Sequence, residues 1–194
     1  MGRNVASIEP ARDENRFSRA PASVCVEGPP QRQCYRAPEA FGNSPAASVV
    51  QLRKDMPALL FSADSNGVSG WQIHLALLRP DQRSRLDDLL DITISNQAQH
   101  SFFKDESLPG WLILVTAEYV WGLDEVHYDQ HRYMVSAYVL KLSSYTEILR
   151  YYLEDRYMTA RAYDVDKTDI IAAEKQEIIS RLRRLKGTAK DSRH

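Results

Sequence analysis

The residues best placed to do chemistry lie in Asp124-Glu125-Val126-His127-Tyr128-Asp129-Gln130-His131, where Asp124, His127 and His131 recur at i, i+3 and i+7. On a helix this spacing puts one carboxylate and two imidazoles on a single face, a ligand set that suits zinc or a similar ion. A zinc protease of the usual helical kind needs Glu directly after the first His to act as base. Tyr128 stands there, so that activity is excluded. The same polar groups also suit the exposed start of a helix, and both readings stay open.

A second group is cationic. Arg181, Arg183, Arg184 and Lys186 precede Gly187 near the C-terminus, and Lys175 to His194 carries a local charge of +5, seven basic residues against two acidic. Cations gathered at one helix end would neutralise phosphates in a salt-dependent, sequence-independent manner, so a nucleic-acid partner is one reading. Complementarity to the helix dipole is another. Pairing with the acidic stretch Asp81 to Gln130 is a third; that stretch has ten acidic and three basic residues, a local charge of -7.

Other chemistry has little to work with. Asp87, Asp88 and Asp91 fall among Leu86, Leu89 and Leu90 and read as the solvated face of an amphipathic helix, not as an acid–base pair. There is no Gly-x-Ser-x-Gly elbow, Walker loop or dinucleotide fingerprint, so no cofactor is expected and the chain reads as non-enzymatic. Cys25 and Cys34 are too few for a disulfide scaffold and lack companions for a zinc site. That favours a reducing, cytoplasmic setting, although the composition of the first 48 residues also resembles the leader of a secreted effector. No run of about 18 apolar residues is present to span a membrane.

The elements expected to position these residues are mainly helical. Eight of the ten tyrosines lie between Tyr128 and Tyr163, with no Gly or Pro in that interval. Val135, Tyr138, Leu142, Tyr145, Leu149 and Tyr152 follow one another in steps of three and four, the seam of a helix pressed on another helix. A helix from about 124 to 162 would be roughly 50 Å long, more than a domain of this size covers. The seam therefore predicts a coiled-coil-like interface, and a regulatory protein that forms a homodimer or binds another protein through it.

Ahead of it, the spacing predicts a helix over about 80–98 and a buried helix at 111–121, where a strand fits equally well. Behind it, a last helix is expected from Thr168 or Asp169 to Gly187. Asn66-Gly67, followed by Trp71, Ile73, Leu75 and Leu77 in alternation, predicts a small hairpin. Residues 1–48 hold six of the nine prolines and few aromatics, and read as a disordered tail. The expected organisation is a tail (1–48), one mainly α domain with an N-terminal β-hairpin and about four helices (49–187), and a flexible basic end (188–194).

Overall fold

The computed structural model describes residues 5–9, 13–15, 18–27, 32–39, 41–67, 70–80, 85–94, 99–104, 108, 112–126, 129–158 and 169–191. Strands dominate. The chain divides into two compact units, Met1–Ser95 and Asn96–His194.

The first unit contains β1 (Val5–Glu9), β2 (Asp13–Asn15), β3 (Ser18–Arg19), β4 (Ser23–Glu27), β5 (Gln33–Arg36), β6 (Asn43–Arg53), β7 (Met56–Gly67), β8 (Gly70–Pro80), β9 (Leu86–Asp88) and β10 (Ile92–Ile94). They form an antiparallel sheet in the order β1-β4-β5, a β2–β3 hairpin, and a five-stranded sheet ordered β10-β8-β7-β6 with β9 also paired to β8. Strands β7 and β8 run in register from Leu59↔Leu78 to Gly67↔Gly70, so the expected hairpin is the centre of a sheet, with Asn66 and Gly67 paired in β7 and not forming its turn. Val24, Phe61, Ala63, Ala76 and Leu78 are buried together, joining the small sheet to the large one. The edge strand β6 carries no charged side chain from Asn43 to Leu52, and Val49 is 74% exposed on it.

The second unit contains β11 (Gln99–Phe103), β12 (Ile113–Val120), β13 (Gln130–Lys141), β14 (Ser144–Met158), α1 (Ile170–Ala173) and α2 (Lys175–Asp191). The strands form one antiparallel sheet in sequence order. Alternation builds its core face: Ile113, Val115, Ala117 and Tyr119 of β12 pack beside Tyr133, Val135, Ala137 and Val139 of β13, under Ile170 and Ile171 of α1 and Ile178 and Leu182 of α2. Burying about 25 cal/mol per Å² of such apolar surface is what holds helix to sheet.

The mainly α expectation is overturned throughout. The Tyr-rich segment is the β13–β14 hairpin, not a helix, and no coiled-coil seam exists among the described residues. Positions three apart fall on opposite faces of a strand, positions four apart share one, and the turn after Lys141 divides the set, so the six seam residues are dispersed. Val135 is core and Tyr145 is buried, Tyr138 and Leu149 are half-buried, Tyr152 is 59% exposed, and Leu142 is 99% exposed in the turn. The physical cause is composition: Tyr, Val, Ile and Thr fit a pleated surface, and β-branched side chains lose rotamer freedom in a helix.

The helix expected over about 80–98 is replaced by β9 and β10, and the one at 111–121 by β12. The stretch expected to be a disordered tail contains β4 and β5, which pair from Ser23↔Arg36 to Val26↔Gln33. The last helix breaks at Glu174 into α1 and α2, and α2 continues past Gly187 to Asp191. Among the described residues, no helix is long and apolar enough to cross a membrane.

Candidate functional site

The first unit buries His74 completely on β8, on the same face as Ala76 and Leu78. Tyr35 of β5 reaches it from the small sheet, with its hydroxyl 2.8 Å from His74 Nε2. The same hydroxyl donates to Asp88 Oδ2 at 3.2 Å, so the hydrogen on the first contact belongs to the imidazole, and Nε2–H donates to Tyr35. His74 Nδ1 is then the bare ring nitrogen, and it is buried with no hydrogen-bond partner among the described residues. The rings of Tyr35 and His74 lie parallel at 6.1 Å, and Phe41 packs against the imidazole at 5.5 Å.

Asp88 is fixed by the backbone around it. Strands β9 and β10 pair with the same edge of β8 but are separated by a kink at Leu89–Asp91. Asp88 Oδ1 spans that kink, accepting from the N–H groups of Leu77 at 2.9 Å, Leu90 at 3.0 Å and Asp91 at 3.2 Å. Asp91 takes a left-handed backbone, φ 43°, a conformation Asp tolerates better than most residues. The outcome is one nitrogen of His74 and one carboxylate oxygen each of Asp88 and Asp91, all within 4.8 Å of one another.

The electrostatics keep this network uncharged on its ring side. Burial pushes the His74 pKa below the ordinary imidazole value, against the pull of the Asp88 and Asp91 carboxylates. Burial also raises the Tyr35 phenol, and Asp88 adds to the effect, so the hydroxyl remains a donor. A neutral imidazole beside two carboxylates is a ligand set suited to a divalent transition metal.

The second unit buries His131 in a different way. It stacks on Tyr119 at 4.4 Å, meets the edge of Trp121 at 5.1 Å, and contacts Glu125 Oε2 through Nδ1 at 2.7 Å. Glu125 also accepts from Gly122 N–H at 2.8 Å and from Arg156 at 2.5 Å. The Gly122 amide, His131 and Arg156 together hold the Glu125 carboxyl below its usual pKa. His131 Nε2 is buried with no hydrogen-bond partner among the described residues.

The residues singled out by spacing are placed otherwise than on helix faces. Asp124 lies exposed in a turn and His131 on β13, so these two share no helical face, and His127 lies outside the described residues. Arg181, Arg183, Arg184 and Lys186 do lie on α2. Arg181 bonds Glu177 at 2.7 Å and stacks on Tyr151 at 4.0 Å; Arg184 bonds Ser180 at 3.2 Å. Of the six seam residues, Tyr145 donates to the Leu112 carbonyl at 3.3 Å, a tie within the sheet. The expected function, an interaction helix built on these tyrosines, has no helix to carry it.

Sequence reasoning missed Tyr35, His74, Asp88 and Asp91 as a group. The available signal was His74 between Ile73 and Leu75 in an alternating run, at a position whose even-numbered neighbours Ala76 and Leu78 are apolar. Cys25 and Cys34, too few for a disulfide scaffold, form a single disulfide across β4 and β5. No protein-family model, curated protein or solved structure matches this chain.

Proposed function

We propose that the first unit binds a divalent transition-metal ion, Zn²⁺ or Mn²⁺, at His74, Asp88 and Asp91. The observation that carries this reading is the convergence of three ligand atoms within 4.8 Å, one of them on a fully buried histidine. Zinc bonds of roughly 2.0–2.2 Å require the three to draw together by about 1 Å, which the exposed Asp91 is free to do. Asp88 is already oriented by backbone donors, the outer-shell support that metal-ligating carboxylates receive. Three protein ligands leave a coordination position for water or a small anionic ligand.

Calorimetric titration of the full chain with Zn²⁺ tests the reading, run on wild type and on Tyr35→Phe. One equivalent is expected, lost in Asp91→Asn, a variant that removes an exposed ligand and leaves the Asp88 contacts in place. Binding that is absent, or insensitive to Asp91, ends it. The compartment follows the thiols: a persistent Cys25–Cys34 bond supports an oxidising setting over the cytoplasmic one. Alkylation of free thiols at the moment of lysis reads which state the cell maintains.

A further inference from the structure

We propose that the Cys25–Cys34 disulfide gates this metal site by pinning Tyr35 over it. The inference rests on the metal reading above. Tyr35 directly follows Cys34 on β5, a four-residue strand at the edge of its sheet that, among the described residues, pairs with β4 alone. The register places Cys25 opposite Cys34 and Val24 opposite Tyr35, so the covalent tie acts one residue from the phenol. The phenol in turn spans His74 Nε2 and Asp88 Oδ2, two atoms of the residues a metal would take. With the disulfide closed, an ion that takes His74 through Nε2 must displace both hydrogen bonds from a ring that the strand holds in place, and the Nε2 proton passes to the bare Nδ1. With it open, β5 keeps its four-residue ladder to β4 and the contact of Tyr35 with Phe61, ties that can open where the covalent one cannot.

Cys34 is exposed whereas Cys25 is buried, so a solvent thiolate meets Cys34 first. The chemistry is exchange with a dithiol. Its thiolate attacks Cys34 Sγ, the Cys25–Cys34 bond breaks, and Cys25 leaves as a thiolate and takes a proton. The second thiol of the reductant then resolves the mixed disulfide. Two electrons and two protons pass to the protein, and the reductant becomes a disulfide.

Zinc titration of three oxidised or thiol-free proteins separates the possibilities: wild type with its disulfide intact, Tyr35→Phe with its disulfide intact, and Cys25→Ala/Cys34→Ala. Both variants are expected to bind about tenfold tighter than wild type, the equivalent of roughly one net hydrogen bond. Mn²⁺ binding by wild type with and without dithiothreitol, followed by electron paramagnetic resonance, makes the same comparison without a substitution, since Mn²⁺ favours oxygen ligands over thiolates. Equal affinity in wild type and the cysteine variant overturns the gate even where Asp91→Asn abolishes binding. If no form takes up metal through Asp91, the site reading falls and the gate falls with it.

Discussion

Each unit seals a histidine completely from solvent, and the two are held by different means. His74 sits in a chain of hydrogen bonds that crosses three strands, from β8 to Tyr35 on β5 and on to Asp88 on β9. His131 sits in a stack of rings and meets one carboxylate from the loop just before its own strand. The first arrangement is non-local, and its carboxylate also carries the backbone of a kink. The second is local, and its carboxylate is shared with a solvent-facing arginine. Removing a polar group should therefore cost far more in the first unit than in the second.

Asp88→Ala is the strongest test of that difference. It leaves the N–H groups of Leu77, Leu90 and Asp91 and the Tyr35 hydroxyl without their acceptor, and should destabilise the first unit by about 3 kcal/mol or more. Glu125→Ala should cause a smaller loss in the second unit, because the Gly122 amide and Arg156 are exposed and turn to water, which leaves the buried His131 Nδ1 as the one stranded group. Denaturant unfolding read by segment-resolved hydrogen exchange compares the two, and similar losses would break the contrast.

Opening the disulfide comes next. Closing a loop with the sequence separation of 9 between Cys25 and Cys34 contributes about 2–3 kcal/mol through the unfolded state. Cys25→Ala/Cys34→Ala should lose that amount, with faster exchange confined to residues of Met1–Ser95.

Acidification should sharpen the comparison further. The folded pKa of His74 lies below its unfolded value near 6.5, so the unfolded chain takes up a proton first. Stability of the first unit is then fully present above about pH 6.5 and falls as pH drops below it. His74→Gln should flatten that slope. Glu125 has its carboxyl pKa held low and stays ionised through the same range, so its contacts to Gly122 and Arg156 persist. An equal loss in both units between pH 7 and pH 5 would contradict this.

The smallest effect concerns a turn. The β13–β14 hairpin closes at Lys141↔Ser144, and Leu142 takes φ 53° there. A left-handed conformation costs a branched L-residue roughly 1–2 kcal/mol, so Leu142→Gly or Leu142→Asn should stabilise the second unit by about 1 kcal/mol, visible as a higher melting temperature.

That turn also explains why the fold was poorly legible in the sequence. Hairpin reading depends on turn residues, and Asn66-Gly67 points to β7–β8 even though both residues end up paired in the ladder just ahead of the connection. Leu142-Ser143 announces nothing, and without a break the steps of three and four from Val135 to Tyr152 read as one continuous helix. The competing alternation at Tyr133, Val135, Ala137 and Val139 was present, but it is short and includes a small residue. At Leu86–Ile94 the leucines satisfy a helical period only because the kink at Leu89–Asp91 shifts the strand register. The candidate site was less legible still. Tyr35, His74 and Asp88 are 39 and 53 residues apart where they bond, and only sheet pairing brings them together. Charge and polarity placed Asp88 and Asp91 on a surface, which suits the exposed Asp91 but hides the role of Asp88.

The uncharged edge of β6 has its own consequence. Sheet edges are commonly guarded by lysine, proline or bulges, and β14 carries Glu147, Arg150, Glu154, Asp155 and Arg156 along with two register shifts. From Ala46 to Gln51 strand β6 has none of these guards, while its pairing with β7 stays regular through Val50↔Ala58 and Gln51↔Pro57. When the protein is concentrated or partly unfolded, intermolecular cross-β growth should begin there, and a lysine at Val49 should delay it.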